Sequence, residues 1–220
     1  LNGTLISMNQ RECWMHLIGE FNAYNAAAIY GAATALGMPA DEALQGISAL
    51  QSVDGRFQRV QGPKDLVGIV DYAHTPDALE NVLDTIHSVR GKEEIISIVG
   101  CGGDRDKTKR PIMGRELLAG SDLAIFTSDN PRSEQAQSIA ADMLKGLKAP
   151  QAVYQELDRA KAIQHVVATA GLQDVILIAG KGHEVTQEIA GVKYPFDDRV
   201  HAQQALRQRA ESILKSGLVS

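Results

Sequence analysis

From Val67 onward the chain alternates short apolar runs with longer stretches of helical periodicity, and no other feature restricts its fold as strongly. The apolar runs cover 67–72, 95–99, 123–127, 152–155 and 175–179, and the helical stretches 76–88, 111–118, 133–147, 158–170 and 198–215. The runs lack the in–out alternation of a half-solvated sheet and read as strands buried on both faces. Pro76 and Pro111 suit the first helical position, where a missing N–H costs nothing, and Thr75 and Asp158 suit N-caps. Strands alternating with helices predict an α/β fold, a doubly wound and mainly parallel sheet covered on both sides.

The residues ahead of this pattern read differently. Segments 3–8 and 13–18 predict a hairpin around Asn9–Glu12. An alanine-rich helix over 23–36 ends at Gly37, and a second over 39–50 carries Asp41 and Glu42 in its first turn, where the helix dipole favours acids. The polar stretch 51–56 reads as a connector. The predicted organisation is therefore a first segment 1–52, a linker 53–57 and an α/β domain 58–220.

Composition narrows the function classes. A net charge of −5 argues against a nucleic-acid footprint. Cys13 and Cys101 are the only cysteines, too few for a disulfide framework and in keeping with a reducing cytoplasm. No apolar run reaches the roughly 18 residues that span a bilayer, and no signal peptide is visible. Because Leu1 leads straight into strand-like sequence, a fragment of a longer protein is expected.

Four loops, each after a predicted strand, carry the chemistry. They are Asp71-Tyr72-Ala73-His74-Thr75-Pro76, Gly100-Cys101-Gly102-Gly103-Asp104-Arg105-Asp106-Lys107, Asp129-Asn130-Pro131-Arg132 and Gly180-Lys181-Gly182-His183-Glu184. In a parallel sheet all four reach the carboxyl edge, where open α/β folds bind ligands. Arg132 has the planar fork that grips a carboxylate, which suggests a zwitterionic amino acid; a solvated Asn-Pro turn is the plainer alternative. The glycine-rich loop brings backbone N–H groups near an anion, with Arg105, Lys107, Lys109 and Arg110 around it, or is a tight turn before a solvated helix start. Basic residues at a helix N-terminus oppose the dipole, which favours an anionic ligand. Glu184 suits a substrate ammonium beside the Gly180 carbonyl, whereas His183 reads as a general base or metal ligand, or more plainly as an orienting or structural hydrogen-bonding residue. Asp71 and His74 are a base with its orienter, or a ribose-binding carboxylate with a neighbour. Asn22 and Asn25, three apart at a helix start, face one way and reach a base edge, unless Asn22 is an N-cap. No nucleophile elbow or zinc spacing is present.

Together with Gly19-Glu20-Phe21-Asn22, Asn25 and Gly55-Arg56, these loops resemble the Mur ligase family, the ATP-dependent amide-bond formers of peptidoglycan synthesis. The resemblance runs over nearly the whole chain, and Asp129–Arg132 looks like the form of the loop found in the diaminopimelate-adding branch; lysine-adding relatives typically lack the final arginine. It implies that 1–52 is the tail of a central ATPase domain and that the rest delivers the incoming amino acid. It implies ATP contacts at Asn22, Asn25, Arg56, Asp71 and His74, and meso-diaminopimelate contacts at Arg105, Asp129, Asn130, Pro131, Arg132, Gly180 and Glu184. The implied partners are ATP, magnesium (its ligands outside this chain), UDP-MurNAc-dipeptide and meso-diaminopimelate. A cytoplasmic monomer, inactive without the rest of the enzyme and with no catalytic residue of its own, is expected. The alternatives are a lysine-adding or polyglutamate-adding relative, and a non-catalytic module that binds an amino acid or nucleotide.

Overall fold

The computed structural model describes residues 3–215. The chain divides into two compact units, Leu1–Val53 with Asp84–Gly91 and Asp54–Leu83 with Lys92–Ser220.

In the first unit, β1 (Thr4–Met8) and β2 (Arg11–Met15) pair antiparallel. The sequence put four residues between these strands, but the turn needs only Asn9 and Gln10. Both take positive φ, 50° and 64°, the left-handed pair that matches the twist of a two-residue hairpin. Alternation then sends Ile6, Met8, Cys13 and Met15 to one side. They pack with Ala26 and Tyr30 of α1 (Glu20–Ala35) and with Ala43, Leu44 and Ile47 of α2 (Ala40–Ser48). The other face leaves Leu5 and Trp14, partners in the register, exposed.

The second unit is built on a six-stranded sheet in the order β3-β4-β8-β5-β6-β7. Its strands are β3 (Gln58–Gln61), β4 (Val67–Asp71), β5 (Ile95–Val99), β6 (Leu123–Phe126), β7 (Val153–Gln155) and β8 (Val175–Ala179). All neighbours are parallel except β3 with β4. The five expected strands are present to within a residue. The helices are α3 (Pro76–Val89), α4 (Arg110–Gly120), α5 (Ala136–Leu144), α6 (Arg159–Thr169) and α7 (Asp198–Lys215). Thr75 and Asp158 accept from Ala78 N and Lys161 N as caps do. Three strands were not expected: β3 and the hairpin of β9 (Thr186–Ile189) with β10 (Val192–Pro195). β3 and β9 are mostly polar and β10 is exposed throughout, so none reads as part of the buried sheet centre.

The chain runs from β4 through β5 and β6 to β7, then returns to insert β8 between β4 and β5. Right-handed crossovers place helices on opposite faces when the direction reverses. Accordingly Ile163, Val166, Val167, Ala202 and Leu206 of α6 and α7 pack on Ile96, Ile98, Ile125, Ile176 and Ile178. Phe126, on the other face from Ile125, lies against α4, where a Cβ on Gly114 would come within 3.2 Å of its ring. The sheet is therefore doubly wound. Inserting β8 also seats the 180–184 loop between the loops that follow β4 and β5, a neighbourhood no linear reading supplies.

Candidate functional site

The carboxyl ends of β4, β5, β6 and β8 surround a cavity of roughly 350 Å³. Basic Arg105, Lys109, Arg110 and Arg132 line it together with acidic Asp106, Asp129 and Glu184, and so do His74, Cys101, Asn130 and Gly180. Of the expected amino-acid contacts, Arg105, Asp129, Asn130, Arg132, Gly180 and Glu184 are brought together here; Pro131 is buried and does not line the cavity. Pro131 shapes the loop instead. A Cβ on Gly103 would sit 1.9 Å from its carbonyl oxygen, so only glycine permits this approach.

The glycine-rich loop and the 129–132 loop are clamped to each other. Gly103 N donates to Asn130 O at 2.8 Å, and Arg132 Nη1 donates to Gly103 O at 2.8 Å. Glu134 Oε1 accepts from Asp104 N and from Arg110 Nη2 at 2.7 and 2.8 Å. Arg110, 1% exposed, also reaches Asp142 and Gly102 O, and Lys107 pairs with Glu134. This corrects the reading of the basic helix start: Arg110 and Lys107 are balanced internally and Lys109 faces the Asp106 charge, which leaves Arg105 at the cavity without a protein partner among the described residues.

Hydrogen bonds from Arg110, Asp104 and Lys107 hold the Glu134 carboxyl well below the ordinary glutamate range. A depressed folded-state pKa contributes stability fully above the unfolded value, and that contribution is lost as pH falls through the folded value. Glu134→Gln should therefore unfold at lower urea concentration than wild type near neutral pH, and the gap should narrow in acid. Urea midpoints at neutral pH and near pH 3 check this; a gap independent of pH contradicts it.

Behind the cavity wall lies Lys181, 0% exposed. Its Nζ donates to Asp129 Oδ1 at 3.3 Å, Asn130 Oδ1 at 3.1 Å and Glu184 Oε2 at 3.1 Å. Asn130 Nδ2 donates to the same Glu184 oxygen at 2.8 Å, and Asn130 Oδ1 also accepts from Glu188 N at 3.0 Å. The Asn130 amide therefore orients Glu184. Burial pushes the Glu184 carboxyl up, but the Asn130 and Lys181 bonds and the charges of Lys181 and Arg132 outweigh it, leaving a net shift down. Burial pushes Asp129 up against the pull of Lys181 and Arg159. Burial and the Asp129 charge push the Cys101 thiol up to about 12, so Cys101 is a neutral wall residue and no nucleophile.

Arg132 adopts φ 52°, and strand β9 secures that conformation. Arg132 N donates to Glu188 O at 3.0 Å and Ala190 N donates to Arg132 O at 2.7 Å. Gln187 Nε2 donates to Asp129 O at 2.7 Å. Arg132 Nε lies 3.7 Å from Glu188 Oε2, and Nη2 has no protein partner among the described residues.

The other loop residues are arranged less simply. Asp71 accepts from Phe57 N and Ala73 N, each at 2.7 Å, and burial nevertheless raises its pKa. His74 Nδ1 donates to Tyr72 O at 2.7 Å. Asp71 and His74 are therefore not a base with its orienter; each is tied to backbone. Tyr72 is the common neighbour, with the Arg56 guanidinium 4.6 Å over its ring and the His74 and His183 rings 4.5 and 5.0 Å away. His183 is exposed, with its ring beside Tyr72. In the first unit Gly19 occupies the N-cap of α1, so Asn22 is not a cap: its amide reaches back to Ile18 O at 2.8 Å. Asn25 Nδ2 lies 3.5 Å from Asn22 Oδ1, on the same face as expected. Among the described residues no cluster of three His, Cys, Asp or Glu side chains could hold a metal. No described helix is long and apolar enough to cross a membrane.

Comparison with known proteins places this geometry. The family described as Mur ligase, glutamate ligase domain, matches residues 55–182. The chain belongs to the Mur ligase family. A UDP-N-acetylmuramoyl-L-alanyl-D-glutamate–2,6-diaminopimelate ligase of Parabacteroides distasonis is 52% identical over 200 residues, 90% of this chain and 41% of the relative. The enzyme of the same name from Halalkalibacterium halodurans is 46% identical over 198 residues, 90% of this chain and 40% of its own length. A solved structure bearing that name superposes with a TM-score of 0.71 at 37% identity, covering 93% of this chain and 42% of the other. A UDP-N-acetylmuramate-alanine ligase from Thermotoga maritima shares the fold, with a TM-score of 0.64 at 22% identity over 94% of this chain and 40% of that one. The chain thus spans about two fifths of the length of the curated relatives it matches.

Within this Mur ligase chain the sequence reading missed Glu134 and Gln187, and it named Arg110 and Lys181 without their supporting roles. Lysine in a Gly-Lys-Gly turn was the one available signal, since a flanked lysine on a strand-end loop has little room to reach solvent. Gln187 carried none, because its strand was read as a polar run.

Proposed function

We propose that the protein containing this chain is an ATP-dependent amide-bond ligase that adds meso-diaminopimelate to UDP-MurNAc-L-Ala-D-Glu in peptidoglycan synthesis. Residues 58–220 would supply the amino-acid site, 53–57 a linker and 1–52 the tail of the ATPase domain. One observation carries the reading: a forked cation, Arg132, and an oriented carboxylate, Glu184, line one cavity of a size suited to a small ligand. Relatives of high identity carry the matching name.

In this reaction the glutamyl γ-carboxylate attacks the terminal phosphoryl group of ATP, releasing ADP and forming an acyl phosphate. The amino-acid nitrogen then attacks the acyl carbon and displaces phosphate. The work of this chain is positional. Arg105 and Arg132 bind carboxylates, Asp129 and Glu184 face an ammonium, Gly180 lets the backbone approach and Pro131 keeps the loop in shape. Fixing the amine converts a bimolecular attack into an effectively unimolecular one. Asn22 and Asn25 in the first unit, and Arg56, Asp71 and His74 in the second, are each proposed as ATP contacts. Arg56 favours this assignment, because stacking on Tyr72 leaves its fork free for phosphate. Magnesium would assist phosphoryl transfer from ligands elsewhere in the protein. A cytoplasmic monomer is part of the same proposal.

The test is steady-state kinetics of the full-length protein with ATP and UDP-MurNAc-dipeptide, offering meso-diaminopimelate or L-lysine. Turnover with diaminopimelate and a kcat/KM for lysine lower by orders of magnitude is expected. Preference for lysine assigns the chain to that branch, and binding without turnover assigns a non-catalytic module.

A further inference from the structure

Lys181 belongs to the loop after β8, yet its ammonium donates mostly to residues of the loop after β6. It does not line the cavity, whereas the three residues it holds, Asp129, Asn130 and Glu184, all do. A buried ammonium must be compensated, and here three oxygens at 3.1 to 3.3 Å take its three protons. The local turn supports this arrangement. Glu184 N donates to Lys181 O at 2.9 Å and Gly182 takes φ 52°, which folds the Glu184 carboxylate back over the lysine.

We propose that Lys181 is a positioning residue whose buried charge keeps Glu184 ionised and Asn130 turned toward it, so that the cavity presents a fixed carboxylate to the ammonium of the incoming amino acid. The proposal rests on the amino-acid reading given above. Two carboxylates share the lysine, and without it Asp129 and Glu184 would face each other with like charge. One would then take up a proton. The other charges facing Glu184 are Arg132 on the β6 loop and Arg159 on α6, with Arg105 across the cavity. Arg159 is committed to Asp198, and neither of the others touches the carboxylate, so none replaces Lys181. A protonated Glu184 binds an ammonium poorly, and its loss of charge leaves Asn130 free to rotate.

The experiment follows side-chain carboxyl carbons by carbon-13 NMR across pH in the 220-residue chain, with Glu184 assigned by its absence in Glu184→Gln. In wild type the Glu184 midpoint should lie below the ordinary value of about 4.3. In Lys181→Met it should rise by about 1–3 units, and Lys181→Met with Asp129→Asn should bring it part of the way back. Calorimetry then reads the consequence. Affinity of Lys181→Met for meso-diaminopimelate should fall at least tenfold below the raised midpoint and recover above it, while pimelate, which has no ammonium, shows no such step. A Glu184 midpoint at or above the ordinary value in wild type overturns the proposal even if the variant does not fold, and an unmoved midpoint in Lys181→Met overturns it equally. If the midpoints move as expected but wild type binds no diaminopimelate, the amino-acid reading fails and the control of Glu184 by Lys181 stands.

Discussion

Arg132→Ala in the full-length protein should raise the KM for meso-diaminopimelate by roughly two to four powers of ten, because two hydrogen bonds to a charged group contribute about 1.5–3 kcal/mol each. Diaminopimelate differs from lysine by a second carboxylate at the far end of its side chain. On the proposed reading Arg132 binds it, since the residue lines the cavity and its Nη2 makes no hydrogen bond among the described residues. Its Nη1 is anchored on Gly103 O and its backbone on Glu188 and Ala190, so little side-chain entropy remains to be lost on binding. Lysine offers no carboxylate there and would leave the Nη2 end of the guanidinium unmatched in a partly enclosed site, which is how a polar pocket rejects an analogue. The variant should therefore gain little with lysine. Arg132→Lys, which keeps charge without the fork, should recover only part of the loss. The KM for ATP serves as the internal control for a general collapse of the loop. A diaminopimelate KM within threefold of wild type would contradict the assignment.

Why Arg132 was legible in the sequence, and Lys181 was not, follows from where each signal resides. Strands β6 and β8 announce themselves because they are uninterrupted apolar runs, and the loop after each strand then has a known destination. Arg132 sits in such a loop. Strand β9 carries no such run, since only Gln187 of its four residues is buried and that residue is polar. Its role, fixing Asp129 and the backbone of Arg132, is created by residues more than fifty positions away. Two of the three partners of Lys181, Asp129 and Asn130, are equally remote, so its burial is a property of two loops meeting rather than of either one. The strand order is hidden for the same reason. Nothing local to residues 175–179 states that they enter between β4 and β5. Asp71 and His74 show the converse error: closeness in sequence suggested a chemical pair, but each side chain bonds to backbone nearby.

Asp198→Ala should cost about 3–5 kcal/mol of stability, the range found when one partner of a buried ion pair is removed. Asp198 and Arg159 are both 0% exposed at their side chains, and their bonds are paired, Nε to Oδ1 and Nη2 to Oδ2, each 2.7 Å. Truncating the acid strands a guanidinium that cannot lose its proton in the range where proteins fold and that has no route to water. The damage should not stop at the core. Arg159 Nη2 also donates to Ala179 O at 2.9 Å, and Nη1 approaches Ser128 O at 3.4 Å. Those carbonyls immediately precede Gly180 and Asp129, so a displaced Arg159 would release the roots of both loops that meet at Lys181. Replacing the pair by apolar residues, Arg159→Met with Asp198→Leu, should recover part of the stability, because no charge is then left buried. It should not recover the site, since Ala179 O stays without its donor. Urea unfolding measures the first effect and diaminopimelate binding the second. A cost below about 1 kcal/mol for Asp198→Ala, typical of an exposed pair, would show that water reaches Arg159. Full binding by the double variant would show that the pair serves stability alone.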